Sequence, residues 1–208
     1  AIMTPARLTA DQALARLIDG NHRYVADDPI SGDISRSRRL EVAREQFPFA
    51  TLVGCSDSRV GPEQLFGVGL GDLFIVRTAG NNVGTNGMGS IEFSVAQLGV
   101  PLVVVLGHER CGAVGAAVKI VTDDLQLSGS MGKMVEPIIP AVLHAQRSLP
   151  EYGDLLDASV RENVRRMVKR LRTASEPMLM EPQATGRLKV VGAYYDLDTG
   201  TVDFFDRP

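Results

Sequence analysis

Three short apolar runs, residues 49–54, 73–77 and 101–107, each stop at a polar or glycine-containing turn. Runs that are apolar throughout, rather than alternating, are what strands covered on both faces require. The intervals between them have room for crossover helices: one at 62–66, and one at 90–98 where Ile91, Val95 and Leu98 share a face. Strand and helix in alternation predict an α/β fold, a central and mostly parallel sheet flanked by helices. Two last runs, 188–194 and 201–205, read as a closing hairpin across Asp198-Thr199-Gly200.

The flanks are helical by the same test. Thr9 and Gln12 have the form of a capping box ahead of Leu14, Leu17 and Ile18, so residues 9 to about 20 are predicted to begin a helix, with Gly20 interrupting or ending it. A loop is expected at 28–33 and a short exposed basic helix at 36–44. Two further amphipathic helices are expected at 133–147 and 154–173. At 208 residues and 44% hydrophobic the chain is sized for one domain, 1–208, with residues 1–45 as an N-terminal helical arm and 46–208 as the core. A net charge of −3, with arginines interspersed among acids, excludes a polyanion binder, so no nucleic-acid partner is expected. No apolar stretch approaches the roughly 18 residues needed to span a bilayer. Ala1 to Pro5 carry neither a basic start nor an apolar signal core, and a cytoplasmic location is the expectation, with a removed export signal left open.

The two cysteines of the chain fall at the ends of apolar runs: Cys55 closes the first, and Cys111 follows the third, three residues after His108. Alone, a buried cysteine is most often a small hydrophobe. Two thiols and an imidazole at converging strand ends instead have the donor chemistry of a zinc site with one position free, and ligands of open α/β sheets gather at such ends. Zinc held by two thiolates and a neutral imidazole has no net charge and acidifies bound water. Thiolates neutralise the metal more than imidazoles do, so activity is expected to rise toward alkaline pH. Cys111 precedes a helix-compatible stretch whose N-terminus favours the thiolate. Asp57 and Arg59 follow Cys55 closely enough to act beside the metal: the arginine can fix the carboxylate as an acceptor, and release from it would let the carboxylate block the open position.

Cys55-x-Asp57-x-Arg59 together with His108-x-x-Cys111-Gly112 resembles the β-class carbonic anhydrases, and the likeness runs from about Ala13 to Tyr195 through Gly20-Asn21-x-Arg23-Tyr24, Gly71-Asp72-Leu73-Phe74-Ile75-Val76-Arg77 and Gly89-Ser90-Ile91-Glu92-Phe93. The resemblance implies one zinc ion per subunit on Cys55, His108 and Cys111, an Asp57/Arg59 catalytic dyad, and reversible hydration of carbon dioxide to bicarbonate. It further implies a homodimer or homotetramer with the N-terminal arm packed on a partner. Gln46 would be a substrate-binding residue reaching the neighbouring subunit's site, and Phe74 and Phe93 an apolar substrate wall. Members of the family that bicarbonate closes carry a tryptophan three residues before the first cysteine; Leu52 stands there in this chain, and an open resting site is expected.

Two other functions fit parts of this pattern. One is hydrolysis of carbon disulfide or carbonyl sulfide on the same scaffold. The other is a non-catalytic, zinc-stabilised binding or thiol-sensing protein, which needs a fourth fixed ligand. The glycines at 67–71 and 84–89 lack the lysine and spacing of a phosphate loop and read as turns and close packing.

Overall fold

The computed structural model describes residues 7–28, 32–150 and 153–208. In chain order the elements are α1 (Ala10–Val25), α2 (Arg36–Val42), β1 (Ala50–Gly54), α3 (Pro62–Phe66), β2 (Leu73–Arg77), α4 (Thr85–Ala96), β3 (Leu102–His108), α5 (Gly112–Asp123), α6 (Gly129–Val135), α7 (Ile139–Ser148), α8 (Leu155–Arg172), α9 (Pro177–Ala184), β4 (Lys189–Tyr195) and β5 (Val202–Asp206). The predicted loop at 28–33 and the chain start lie partly outside the described residues.

The strands form one sheet in the order β2-β1-β3-β4-β5, parallel except for β5, which pairs antiparallel with β4. Every residue of β1 and β3 is buried, which explains why their sequences are apolar without alternation. The sheet separates two apolar layers: Leu52, Val104 and Val191 pack toward Leu17 and Phe66, while Val53, Val103 and Val105 pack toward Val164, Met167 and Leu171 of α8. From β1 the chain passes to β2 on one side, then crosses to β3 on the other. The order therefore reverses at the carboxyl ends of β1 and β3.

Helix α1 begins with the expected capping box, Thr9 N–H to Gln12 Oε1 at 2.9 Å and Gln12 N–H to Thr9 Oγ1 at 3.2 Å. It does not end at Gly20. A Cβ at that position would sit 2.0 Å from the Phe66 carbonyl oxygen, so the glycine is there to let α1 press on α3 while the helix runs on to Val25. At the next residue, buried Asn21 bonds Leu65 O, Gly200 O and the Val202 N–H, fastening α1 to the chain's own core. Helix α2, by contrast, buries none of its residues.

Three other boundaries differ from expectation. Helix α4 starts at Thr85, so Gly87 and Gly89 lie in its first turns rather than in a loop. The helix expected at 133–147 is broken into α6, a 3-10 turn at 136–138 and α7, because Pro137 and Pro140 cannot donate to the preceding turn. Helix α9 has no clean apolar face and contains Pro182, which hid it from periodicity. Among the described residues no helix is long and apolar enough to cross a membrane.

Candidate metal centre

Cys55 follows the last residue of β1, His108 ends β3, and Cys111 caps α5. Because β1 and β3 are adjacent and in register at Val53 and Val105, the three side chains converge just past the sheet. Their donor atoms all lie within 4.8 Å of one another and all three residues are buried. The sulfurs are 4.0 Å apart and the cysteines are free. Two zinc–sulfur bonds of about 2.3 Å at a tetrahedral angle would set the sulfurs about 3.8 Å apart. The spacing suits a shared cation, as expected, and not a covalent bridge.

His108 supplies the sharpest fit. Its Nδ1 lies 2.8 Å from the Glu109 carbonyl oxygen, which can only accept, so Nδ1 carries the proton and Nε2 presents a lone pair. That Nε2 is buried and has no hydrogen-bond partner among the described residues. A buried acceptor left unpaired costs about 1–3 kcal/mol, which a bound cation would offset. The loop itself is held, since Glu109 N–H donates to Tyr195 O on β4 at 2.8 Å.

The thiols point the same way. Their mutual hydrogen bond is the main influence on both: it lowers Cys55 below the ordinary thiol range and, with burial, raises Cys111 above it. One thiolate is comfortable there, and a second needs a positive charge beside it. Backbone N–H groups already face both sulfurs, from Gly80 to Cys55 at 3.3 Å, and from Ala113 and Val114 at the start of α5 to Cys111. Helix α5 does start beside Cys111 as expected, and its N–H groups favour the thiolate, but the Cys55 bond and burial outweigh them.

Asp57 borders this cluster, with Oδ2 3.8 Å from His108 Nε2. Arg59 grips it on both oxygens: Nε donates to Oδ1 at 2.9 Å, Nη2 to Oδ2 at 2.7 Å, and the Arg59 backbone N–H to Oδ1 at 2.9 Å. These bonds hold the Asp57 carboxyl well below the usual carboxylate range. Arg59 Nη2 also donates to the Arg110 carbonyl at 3.3 Å, tying the two loops together.

Sequence reasoning assigned no part to Arg77, at the end of β2. Its guanidinium donates to three carbonyls of the loop after β1, Cys55 O at 2.7 Å and Asp57 O and Val60 O at 2.8 Å each. It fixes the backbone that carries both the first donor and the carboxylate. The local signal was its place beside Gly54 in the sheet register.

Gln46, Phe74 and Phe93 are not brought to the cluster within this chain. Gln46 is exposed ahead of β1, at the opposite end of the strand from Cys55. Phe74, on edge strand β2, pairs with Thr51 about 10 Å before the strand ends and stacks obliquely on Phe93 with centroids 6.3 Å apart. Phe93 is 47% exposed on the side of edge strand β2.

Sequence and structure comparisons agree with this geometry. A family model described as carbonic anhydrase matches residues 50–202. Carbonic anhydrase 2 of Mycobacterium tuberculosis is 40% identical over 185 residues, covering 88% of this chain and 87% of that protein. The carbonic anhydrase of Mycolicibacterium smegmatis is 38% identical, covering 90% and 89%. Among solved structures, a tetrameric β-carbonic anhydrase of Sordaria macrospora superposes with a TM-score of 0.72 at 26% identity, covering 80% of this chain and 84% of that one. The β-carbonic anhydrase CcaA gives 0.70 at 27% identity, with 91% and 93% covered. With relatives this similar over nearly its whole length, and the same parallel sheet bringing two sulfurs and an imidazole together, the chain belongs to the β-carbonic anhydrase family.

Proposed function

We propose that this chain catalyses the reversible hydration of carbon dioxide to bicarbonate and a proton, with Cys55, His108 and Cys111 holding one zinc ion per subunit. The observation that carries the reading is the unpartnered, buried Nε2 of His108 facing two sulfurs 4.0 Å apart, with an ionised carboxylate alongside. Zinc held by these three donors would supply the Lewis acidity that lowers the pKa of a bound water.

Asp57 does the orienting. Arg59 keeps it ionised and occupies both its oxygens on one side, so the carboxylate is an acceptor for the O–H of an attacking water and directs that water's lone pair outward. In this arrangement Asp57 is turned to Arg59 and leaves the donor cluster three-membered among the described residues, which supports an open resting site. It also counts against a purely structural metal, which needs a fourth fixed ligand.

Gln46, Phe74 and Phe93 act across a subunit boundary in this proposal, Gln46 binding substrate and the phenyl rings forming a dry wall suited to a small apolar molecule without donors. The exposed Phe93 beside edge strand β2 and the unburied α2 support a homodimer or a pair of dimers. The whole chain, arm at 1–45 and core at 46–208, is taken as one domain. Stopped-flow hydration across pH, with metal content measured on the same sample, tests the reading: activity rising toward alkaline pH is expected, and a fully metallated sample silent above about pH 8 would overturn it.

A further inference from the structure

We infer that Asn163 is a positioning residue for the metal centre, acting through the backbone of Gly80 on the sulfur of Cys55. This rests on the reading of Cys55 as a metal ligand. Asn163 lies on α8 and is 2% exposed. Its Nδ2 donates to Gly80 O at 2.8 Å, and the Gly80 N–H in turn donates to Cys55 Sγ at 3.3 Å. Two hydrogen bonds thus link a helix behind the sheet to one donor atom.

The middle of this link is a backbone with no freedom to spare. Gly80 has φ of +78°, and a Cβ there would lie 2.7 Å from Ile138 Cδ1 and 3.2 Å from Ala113 Cβ. Glycine is required both for the left-handed conformation and for the space. A glycine, however, does not hold its own dihedrals, so something else must fix the direction of its N–H. The Asn163 amide does so by fastening the carbonyl of the same residue. A buried asparagine that merely satisfied itself could bond its own helix; this one reaches 83 positions back along the chain.

The chemistry follows from what an N–H does to a thiolate. It stabilises negative charge on the sulfur and fixes the direction of the sulfur lone pairs, so the donor would meet a cation already oriented. Ser159, one turn earlier on the same helix, is equally buried, its hydroxyl has no partner among the described residues, and it makes no bond to the Gly80 segment. It is the control for packing alone.

The test uses the full chain stripped of metal and loaded with cobalt, comparing wild type with Asn163→Leu, Asn163→Ser and Ser159→Ala. Expected for the Asn163 variants are a shifted thiolate-to-cobalt charge-transfer band and a metal affinity about 10- to 100-fold weaker by chelator competition, with Ser159→Ala matching wild type. A folded Asn163 variant with wild-type band and affinity would overturn the inference. Should neither variant fold, NMR of wild-type protein loaded with NMR-active cadmium decides: coupling between the Gly80 amide proton and the metal through Sγ supports it, and its absence overturns it. Wild type that binds neither metal would fail the ligand reading itself, whereas bound metal indifferent to Asn163 and Gly80 fails this inference alone.

Discussion

The Asp57 carboxylate stands 3.8 Å from Nε2 of His108 while both of its oxygens are occupied by Arg59. In the proposed function the aspartate stands between the donor cluster and the arginine, and the arginine keeps it off the cluster.

Removing the carboxylate separates binding from chemistry. Asp57→Asn keeps the shape but loses the charge. It is expected to lower kcat by about 10²-fold or more with metal content unchanged. Arg59→Ala frees the carboxylate to swing onto the donor cluster and is expected to be at least as inactive. Stopped-flow rates paired with metal analysis check both, and loss of metal from Asp57→Asn would count against its assigned part.

The ion pair also predicts a pH signature. The folded-state pKa of Asp57 is depressed, chiefly by the Arg59 hydrogen bond, so its contribution to stability is present above the unfolded value of about 4 and is lost as pH falls toward the folded one. The Tm difference between wild type and Asp57→Asn is expected to be flat from about pH 8 to 5 and to shrink below about pH 4. A difference that instead changes between pH 6 and 8 would assign it to another group.

Arg77 holds three carbonyls of the loop after β1. Arg77→Leu leaves them without that donor and is expected to cost about 2–4 kcal/mol and to weaken metal binding. Denaturant unfolding of the stripped and loaded protein measures each effect.

Arg110 sits between two donors with φ of +50° and makes a two-pronged ion pair with Asp198 in the β4–β5 turn, at 2.9 and 2.7 Å. Its carbonyl accepts from Arg59. The pair is exposed, so Asp198→Ala is expected to change stability by less than about 1 kcal/mol. It should nonetheless lower kcat/KM several-fold by loosening Arg59. Equal rates in wild type and variant would show that the turn does not steer the dyad.

Chelation should leave a folded but weaker protein. At metal concentrations about 100 times Kd, binding contributes about 2.7 kcal/mol, or roughly 5–10 °C in Tm for a chain of this size. Cys111→Ser is expected to melt like the stripped protein and to gain nothing from added zinc.

Much of this architecture was legible in the chain. The continuous burial of β1 and β3 wrote itself as apolar runs, and the donors at their ends were placed by the same pattern. What escaped depends on contacts between distant residues. Gly20 reads as a stop until Phe66 is seen against it. Arg77, Asn163 and Asp198 are ordinary polar residues until folding sets the first two against loop carbonyls and the third against the Arg110 guanidinium, 17 to 88 positions away. Gln46, Phe74 and Phe93 stay apart from the donors within this chain, Gln46 at the far end of β1 and the two phenyl rings packed on each other at the sheet edge.

The most direct test of the account is X-ray absorption on the zinc-loaded protein. Two sulfurs, one imidazole nitrogen and one exchangeable light ligand on a single zinc per chain is the predicted shell. Sulfurs bonded to each other, or a shell filled by four protein donors, would contradict it.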